Sequence, residues 1–470
     1  MSLQEKIYQR SPVTVQNILI SAFGYQWKQR RFGGVFPREY KAAKDRENYT
    51  SAQWITYQQR ELQKLVLHAY NHVPYYRSSF ERESIAATQL QNIDAGYLQH
   101  LPVLTKDDLR KFGTTTLLSV NKEKEGSFFS SSGSTGTPVE ILYSHAMHQR
   151  WFAIFEARIR NWAGVSSFIP RGMIGGRRIV ADANNTAPFY RYNYFEKQAY
   201  FSAYHISSSN AWNYLEGIKD HKVDYMTGYA MSNFFLARFF KENNFNAPEL
   251  KAVLPSSEKL SVEMRQMFKD VYNCKTFDSW GSVEACGMVS ECEHGSLHIN
   301  PDAGIIEILD DELKPVIDGE AGDVYCTGLL NVDQPLIRYK IGDRMIRSSD
   351  VCSCGRNMPV IKEIVGRTED VVIGKDGREM VRFHSVFYGL DKIKKAQVIQ
   401  EDIQNIFIKL EAEAPLTSVE AGLIRQRVVS QLGEMNIAIE QVSFIPLNRN
   451  GKFQAVISKV KRRAAANSVV

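Results

Sequence analysis

Three groups of residues in this chain are spaced to do chemistry. The first is Ser130-Ser131-Ser132-Gly133-Ser134-Thr135-Gly136-Thr137-Pro138. Its hydroxyls and backbone N–H groups offer many donors on almost no side-chain bulk, so it can wrap closely around phosphate oxygens. It is not a Walker A loop, because no Gly-Lys-Ser/Thr follows. A soft Ser/Gly hairpin turn has the same composition. Ser127-Phe128-Phe129 before it and Val139-Glu140-Ile141-Leu142-Tyr143 after it predict a strand on each side.

The second group is a set of aromatic and acidic residues beside glycines. In Phe277-Asp278-Ser279-Trp280-Gly281-Ser282-Val283-Glu284, the Trp280 ring can stack on a purine. The Glu284 carboxylate can hold Mg²⁺ against phosphate oxygens. Further on, Pro335-Leu336-Ile337-Arg338-Tyr339-Lys340-Ile341-Gly342-Asp343 ends in an acid beside a glycine. Asp343 can accept hydrogen bonds from two ribose hydroxyls, or serve as a turn residue after a strand.

The third group is metal-ligating. Cys292 lies six residues before His298, and Cys352-Ser353-Cys354-Gly355 is a tight turn with two thiols. Cys292, His298, Cys352 and Cys354 form a Cys₃His set of the kind that holds a structural zinc tetrahedrally. Cys286 and His294 are the substitutes if one ligand differs, and buried thiols without metal are the other reading.

These groups need elements to position them. The first hundred or so residues read as helical. Leu62, Leu65, Val66 and Ala69 recur at helical spacing, Val73-Pro74 breaks that helix, and Thr105 is placed to cap another. From about Ser127 to Arg347, short apolar strands alternate with helical stretches such as 232–241 and 261–271, which predicts an α/β body with several sheets. The pattern resets at Gly366-Arg367. Strands at 371–373, 396–399, 406–408 and 442–445 and a helix over 418–432, capped by Ser418, predict a small α+β domain. The expected division is a large domain over 1–366, helical to about 110 and with a zinc-binding subregion over about 286–356, and a small mobile domain over 367–470.

The whole chain narrows the class. Its 470 residues are 44% hydrophobic and 23% charged, ordinary for a soluble globular protein. No apolar run reaches the ~18 residues of a membrane span, and no signal-peptide pattern opens the chain, so an integral membrane segment is not expected and a cytoplasmic location is. A net charge of +6 favours an anionic ligand. The short basic cluster Lys459-Val460-Lys461-Arg462-Arg463 is no nucleic-acid recognition module.

Taken in order, these motifs resemble those of the adenylate-forming acyl-/aryl-CoA synthetase superfamily. Val73-Pro74-Tyr75-Tyr76-Arg77, Leu101-Pro102-Val103-Leu104-Thr105-Lys106, 335–343 and Cys352-Ser353-Cys354-Gly355-Arg356 resemble its phenylacetate–coenzyme A ligase-like branch, which includes capsule- and exopolysaccharide-associated members. The resemblance implies ATP, Mg²⁺, a structural Zn²⁺ and, as acceptor, coenzyme A. It implies that Ser131, Ser132, Gly133, Ser134, Thr135, Gly136 and Thr137 grip the β- and γ-phosphates. Trp280 would stack on adenine, with Gly281, Ser282, Asp278 and Glu258 nearby. Glu284 would ligate Mg²⁺, Asp343 would bind ribose, and Arg367 ribose or phosphate. Lys452, in Asn448-Arg449-Asn450-Gly451-Lys452, would reach the reacting carboxylate, and Glu369 would be the hinge. Tyr229 would line the acid pocket. Val283 stands where the superfamily has Thr or Ser, Glu369 where it has Asp, and Gly374-Lys375-Asp376-Gly377 departs from the branch. The implied reaction joins a carboxylic acid to an acceptor through an acyl-adenylate. An amide or ester ligase passing the acyl group to an amine or a sugar, and a non-catalytic nucleotide-binding scaffold, are the alternatives.

Overall fold

The computed structural model describes residues 3–131, 138–180, 186–367, 372–375, 379–380, 384–387, 390, 392–447 and 453–460. The N-terminal part is helical as its spacing predicts, with Val13–Phe32, Phe36–Asp45 and Ser51–His72 the long pieces. Thr50 opens the last of these: its Oγ1 accepts from Gln53 N–H while Gln53 Oε1 accepts from Thr50 N–H, a reciprocal cap. Val73-Pro74 ends that helix, yet a new one, Pro74–Arg82, starts at once. Proline is well suited to a first helical position, where its missing N–H has no partner to lose. Thr105 caps Lys106–Phe112, as expected.

Two large sheets follow. One has six strands in the order Tyr190–Asn193, Gln198–Ser202, Arg171–Gly175, Tyr225–Tyr229, Ala252–Ser256 and Lys275–Thr276. All its neighbours are parallel except the first pair. Helices Ala211–Asp220, Ala230–Glu242 and Val262–Tyr272 pack their apolar faces on it. Gly228 sits in this sheet with φ +108°, and a Cβ there would lie 1.9 Å from Ile174 O; no larger residue fits the approach. The other sheet is antiparallel and has seven strands, in the order Gly304–Leu309, Ala321–Gly328, Tyr339–Arg347, Val360–Arg367, Leu297–Ile299, Val289–Glu291 and Ser279–Trp280. The strands flanking the Ser/Gly loop, Ser127–Ser130 and Glu140–Tyr143, pair only with each other.

The C-terminal residues form a separate four-stranded sheet, ordered Asn436–Gln441, Asn405–Ala412, Ile393–Gln400, Val456–Ser458, under the helix Ser418–Leu432. Two expectations change here. The helix cap is Thr417, not Ser418, because Glu420 lies three residues beyond Thr417 and closes a reciprocal cap with it. The strand expected over 442–445 lies instead at Asn436–Gln441, where Ile437 and Ile439 are partly buried and the residues between and beside them are exposed. Phe444 is exposed and only Ile445 of that apolar run is buried.

One buried ion cluster ties the helical part to the antiparallel sheet. Arg158 and Asp302 are both fully buried. Asp302 accepts from both terminal nitrogens of Arg158 and, at 2.8 Å, from Arg46 Nε. Arg158 also donates to Ala43 O and Asn300 Oδ1. Removing one member of such a cluster leaves buried charge unpaired. Asp302→Ala should therefore destabilise the protein by about 3–5 kcal/mol, measured by denaturant unfolding. A loss under about 1 kcal/mol, the range of an exposed pair, would contradict this account.

Candidate active site

The Ser/Gly loop leaves and re-enters the fold at a closed mouth. Ser131 N–H donates to Val139 O at 2.9 Å, and Val139 N–H donates to Ser131 Oγ at 3.0 Å. Loop residues Ser132, Gly133, Ser134, Thr135, Gly136 and Thr137 lie outside the described residues. The hairpin below the mouth is held by side chains. Fully buried Gln334 accepts from Leu142 N–H at 2.6 Å and donates to Glu140 O and Gly113 O. Asn331 donates to Leu142 O, and Arg30 donates to Tyr143 O at 2.8 Å. None of these residues was singled out from sequence. The one signal was position: Gln334 immediately precedes the 335–343 motif.

From the hairpin the contacts run straight to the expected acidic turn. Tyr143 OH donates to Val283 O at 2.7 Å. Burial first, then the charge of Glu284, hold the Tyr143 phenol well above its ordinary pKa, so it stays a donor. The next residue, Glu284, is buried, and its Oε1 accepts from Tyr339 OH at 3.3 Å. The Ser282 hydroxyl is buried without a hydrogen-bond partner among the described residues. A buried orphan donor two residues from a buried carboxylate is a composition that a phosphate-bound cation would satisfy.

Trp280 and Asp343 are side by side. The Trp280 indole N–H donates to Asp343 Oδ2 at 2.9 Å, and both residues are buried. Asp343 is not in a turn; it lies within the strand Tyr339–Arg347, where Gly342 precedes it with φ +87°. Arg367 is opposite it on the neighbouring strand, in register. Gly281 is exposed beside the Trp280 strand. Asp278 N–H donates to Glu291 Oε2 at 2.5 Å, and Glu291 also accepts from Arg265 at 2.7 Å. Burial, then the Glu291 charge, push the Asp278 carboxyl up to about 6.

Glu258 and Tyr229 both stand at the start of one helix. Glu258 Oε2 accepts from Met231 N–H at 2.8 Å. It thus meets the first turn of the helix Ala230–Glu242, where a carboxylate is favoured by the helix dipole. Tyr229 begins that helix, its carbonyl accepting from Asn233 Nδ2 at 2.8 Å. Burial raises its phenol to about 12. Glu369 and Lys452 lie outside the described residues.

The sulfur and imidazole groups converge. The ligand atoms of Cys292, His298, Cys352 and Cys354 all lie within 4.8 Å of one another. Cys292 Sγ is 3.6 Å from Cys352 Sγ, and Cys354 Sγ is 3.4 Å from His298 Nε2. These match the edges of a tetrahedron with bonds of about 2.0–2.3 Å. His298 Nδ1 faces Met358 O at 3.3 Å, the backing that a ligating imidazole takes. The two substitutes stand outside this group: His294 Nδ1 meets Ser353 Oγ at 2.8 Å, and Cys286 is in the main core.

Comparison with known proteins agrees with the motif order. A family model described as the CapK C-terminal domain matches residues 372–459. Protein CapK of Staphylococcus aureus is 24% identical over 464 residues, 97% of this chain and 99% of that protein. A phenylacetate-coenzyme A ligase of Thermus thermophilus is 26% identical over 339 residues, 67% of this chain and 71% of that one. A solved 2-hydroxyisobutyryl-CoA ligase in its postadenylation state superposes with a TM-score of 0.69 at 18% identity, over 88% of this chain and 91% of that one. The chain has the fold of the adenylate-forming CoA ligases, and its relatives fall in the branch to which the motifs pointed.

The Asp278 environment carries a pH signature. A carboxyl whose folded pKa exceeds its unfolded value of 3.8 takes up a proton on folding between the two. Its contribution favours folding at low pH and is lost as pH rises through about 6. Denaturant unfolding of wild type and Asp278→Asn across this range should show the wild-type stability falling relative to the variant as pH rises from about 4 to about 6. Parallel profiles would refute the assignment.

Proposed function

We propose that this protein is an AMP-forming ligase that activates a carboxylic acid with ATP, releases pyrophosphate, and passes the acyl group to a thiol such as coenzyme A. One observation carries this reading. Four segments distant in sequence meet in a continuous set of contacts: the loop mouth at Ser131 and Val139, the Tyr143–Val283 bond, Glu284 against Tyr339, Trp280 against Asp343, and Asp343 in register with Arg367.

In this reading the large domain spans 1–366 and the small one 367–470, with Glu369 as the hinge. The donor-rich loop 131–137 cradles the β- and γ-phosphates, and the Ser282 hydroxyl supplies the donor that Val283 lacks. Glu284 holds Mg²⁺, which neutralises phosphate charge when bound. Trp280 packs on the adenine and Asp343 takes the ribose hydroxyls, with Arg367 beside it. Lys452 meets the anionic carboxylate as it approaches the α-phosphate, offsetting the repulsion between two anions. Carboxylate oxygen attacks phosphorus and pyrophosphate leaves. The acyl carbon then bears AMP, a leaving group that a thiolate can displace. The helix Ala230–Glu242 and Tyr229 form a wall of the acid pocket. Cys292, His298, Cys352 and Cys354 hold a structural zinc that fixes the turn 352–355 against the strand Leu297–Ile299.

A second reading keeps the first step and changes the acceptor. Protein CapK aligns along 97% of this chain, whereas the phenylacetate-coenzyme A ligase aligns along 67%. In this alternative the protein is an amide or ester ligase that delivers the acyl group to an amine or a sugar in capsule or exopolysaccharide synthesis. AMP release measured with coenzyme A, amine and sugar acceptors separates the two.

The shared first step is tested by ATP–pyrophosphate exchange against aryl, fatty, hydroxy and amino acids. Exchange with at least one class is expected, and Lys452→Ala or Glu284→Gln should lower it about a hundredfold or more while ATP binding remains measurable. Enzyme that binds ATP but exchanges with none of them would be the scaffold instead. Purified protein should also carry about one equivalent of zinc. Cys352→Ser should lose it and unfold at lower temperature; protein that is stable and zinc-free from the outset would remove the metal assignment.

A further inference from the structure

The helix Val13–Phe32 is inside out. Its buried positions are Gln16, Ser21 and Gly24, whereas Ile18, Leu19 and Phe23 stand 60%, 42% and 45% exposed. The polar face is well used. Gln16 Nε2 donates to Tyr8 O and Ser11 O, Asn17 Oδ1 accepts from Tyr192 N–H at 3.0 Å, and Ser21 Oγ accepts from Tyr194 N–H at 3.0 Å. Gly24 lets Asn193 approach so closely that a Cβ would lie 1.9 Å from its Nδ2. The polar side is therefore locked to the protein, and the helix cannot roll to bury its apolar side. Val15, Ile18, Leu19 and Phe23 follow helical spacing as one stripe. Tyr25 extends it, its ring 5.1 Å from that of exposed Phe195.

Two cations reach this stripe, Lys28 and Arg177. Between Glu5 and Glu39 the chain contains no Asp or Glu, while it contains Arg10, Lys28, Arg30 and Arg31. From Ala157 to Phe195, Asp182 is the single acid. Arg177 lies 5.4 Å from the centroid of the Phe23 ring, and Lys28 Nζ donates to Phe195 O at 3.3 Å. Arg177, beside Phe23, is exposed, as are the neighbouring Arg178 and Lys197, which follows Phe195 by two residues.

We propose that this face docks on an anionic lipid surface, with the Val13–Phe32 helix lying in the plane of the interface. An apolar stripe edged by aromatics and cations is the composition of a helix that enters the headgroup layer without spanning it. Juxtaposed Arg and Lys residues are drawn to anionic headgroups. A second copy of the chain meets the same face less well, because a twofold contact brings like charges together. This inference is independent of the acid and the acceptor.

The test is sedimentation of the full chain with vesicles of phosphatidylglycerol and phosphatidylcholine, and with phosphatidylcholine alone. Wild type should pellet with the anionic vesicles and much less with the neutral ones, and added salt should weaken the association. Ile18→Ser/Leu19→Ser/Phe23→Ser, all at exposed positions, should lower partitioning about tenfold or more with an unchanged thermal midpoint. Arg177→Gln/Arg178→Gln should lower it and flatten its salt dependence. No pelleting with anionic vesicles, or equal pelleting of the folded variants, would overturn the proposal. So would wild type sedimenting as a dimer that the triple variant converts to monomer, since the occupant would then be a second copy.

Discussion

A two-stranded hairpin cannot stand alone in water, and this fold hangs its candidate phosphate loop on one. The strands Ser127–Ser130 and Glu140–Tyr143 join neither large sheet, so their outer backbone groups must find partners elsewhere. Gln334 meets Leu142 N–H and Glu140 O with a single buried amide. Asn331 takes Leu142 O, and Arg30 reaches Tyr143 O from the last turn of the N-terminal long helix. That leaves the Tyr143 hydroxyl to fix Val283. The hairpin, the acidic turn and the segment leading to Asp343 are thereby positioned by one set of hydrogen bonds. A change in any of them is felt by the loop.

This arrangement accounts for the burial of Glu284. An isolated buried carboxylate is costly, and the one hydrogen bond from Tyr339 is long at 3.3 Å. Asp302 is the contrast. It is also fully buried, but two guanidiniums satisfy it, which is how a structural acid is accommodated. Among the described residues no guanidinium bonds to Glu284, and an orphan Ser282 hydroxyl lies two residues away in sequence. The proposed Mg²⁺–phosphate contact would give the Glu284 carboxylate a cation and the Ser282 hydroxyl an anionic acceptor.

Much of this was legible in the sequence because it depends on local pattern. Hydrophobic spacing gave the helix ending at His72 and the alternating α/β body. The Thr105 cap and the strands beside the Ser/Gly loop came from residue types alone. The Cys₃His set was visible as two spaced halves. What stayed hidden depends on contacts that sequence spacing does not encode. Gln334 reads as a polar residue before a motif, and only the fold brings it to the hairpin. The cap of the helix 418–432 was legible and was missed: Thr417-Ser418-Val419-Glu420 has the capping-box spacing, which picks Thr417 over Ser418. The run 442–445 has strand composition, but the alternation of Ile437 and Ile439 fits the sheet better. The inverted face of Val13–Phe32 could not be seen from apolar content, since periodicity does not tell which side faces the protein.

The helix Ala230–Glu242 links the candidate site to the C-terminal unit. Its first turn is held by the Glu258 carboxylate beside Tyr229, and its last turn meets the small sheet. There Arg238 donates to Lys394 O at 3.1 Å, Lys394 pairs with Glu242 at 2.9 Å, and the Phe235 and Phe453 rings lie 6.3 Å apart. Lys394 and Glu242 are 22% and 34% exposed, and ion pairs reached by water contribute little to stability. The Phe235–Phe453 contact and Lys395 Nζ, 5.3 Å from the Phe235 ring centroid, add modestly to that. The two parts are thus apposed through contacts that exchange readily for water. A large apolar interface would fix a small domain in one position; in the proposed reaction, which presents Lys452 for one step and withdraws it for the next, contacts of this kind would let the ligand bound in each step determine that position.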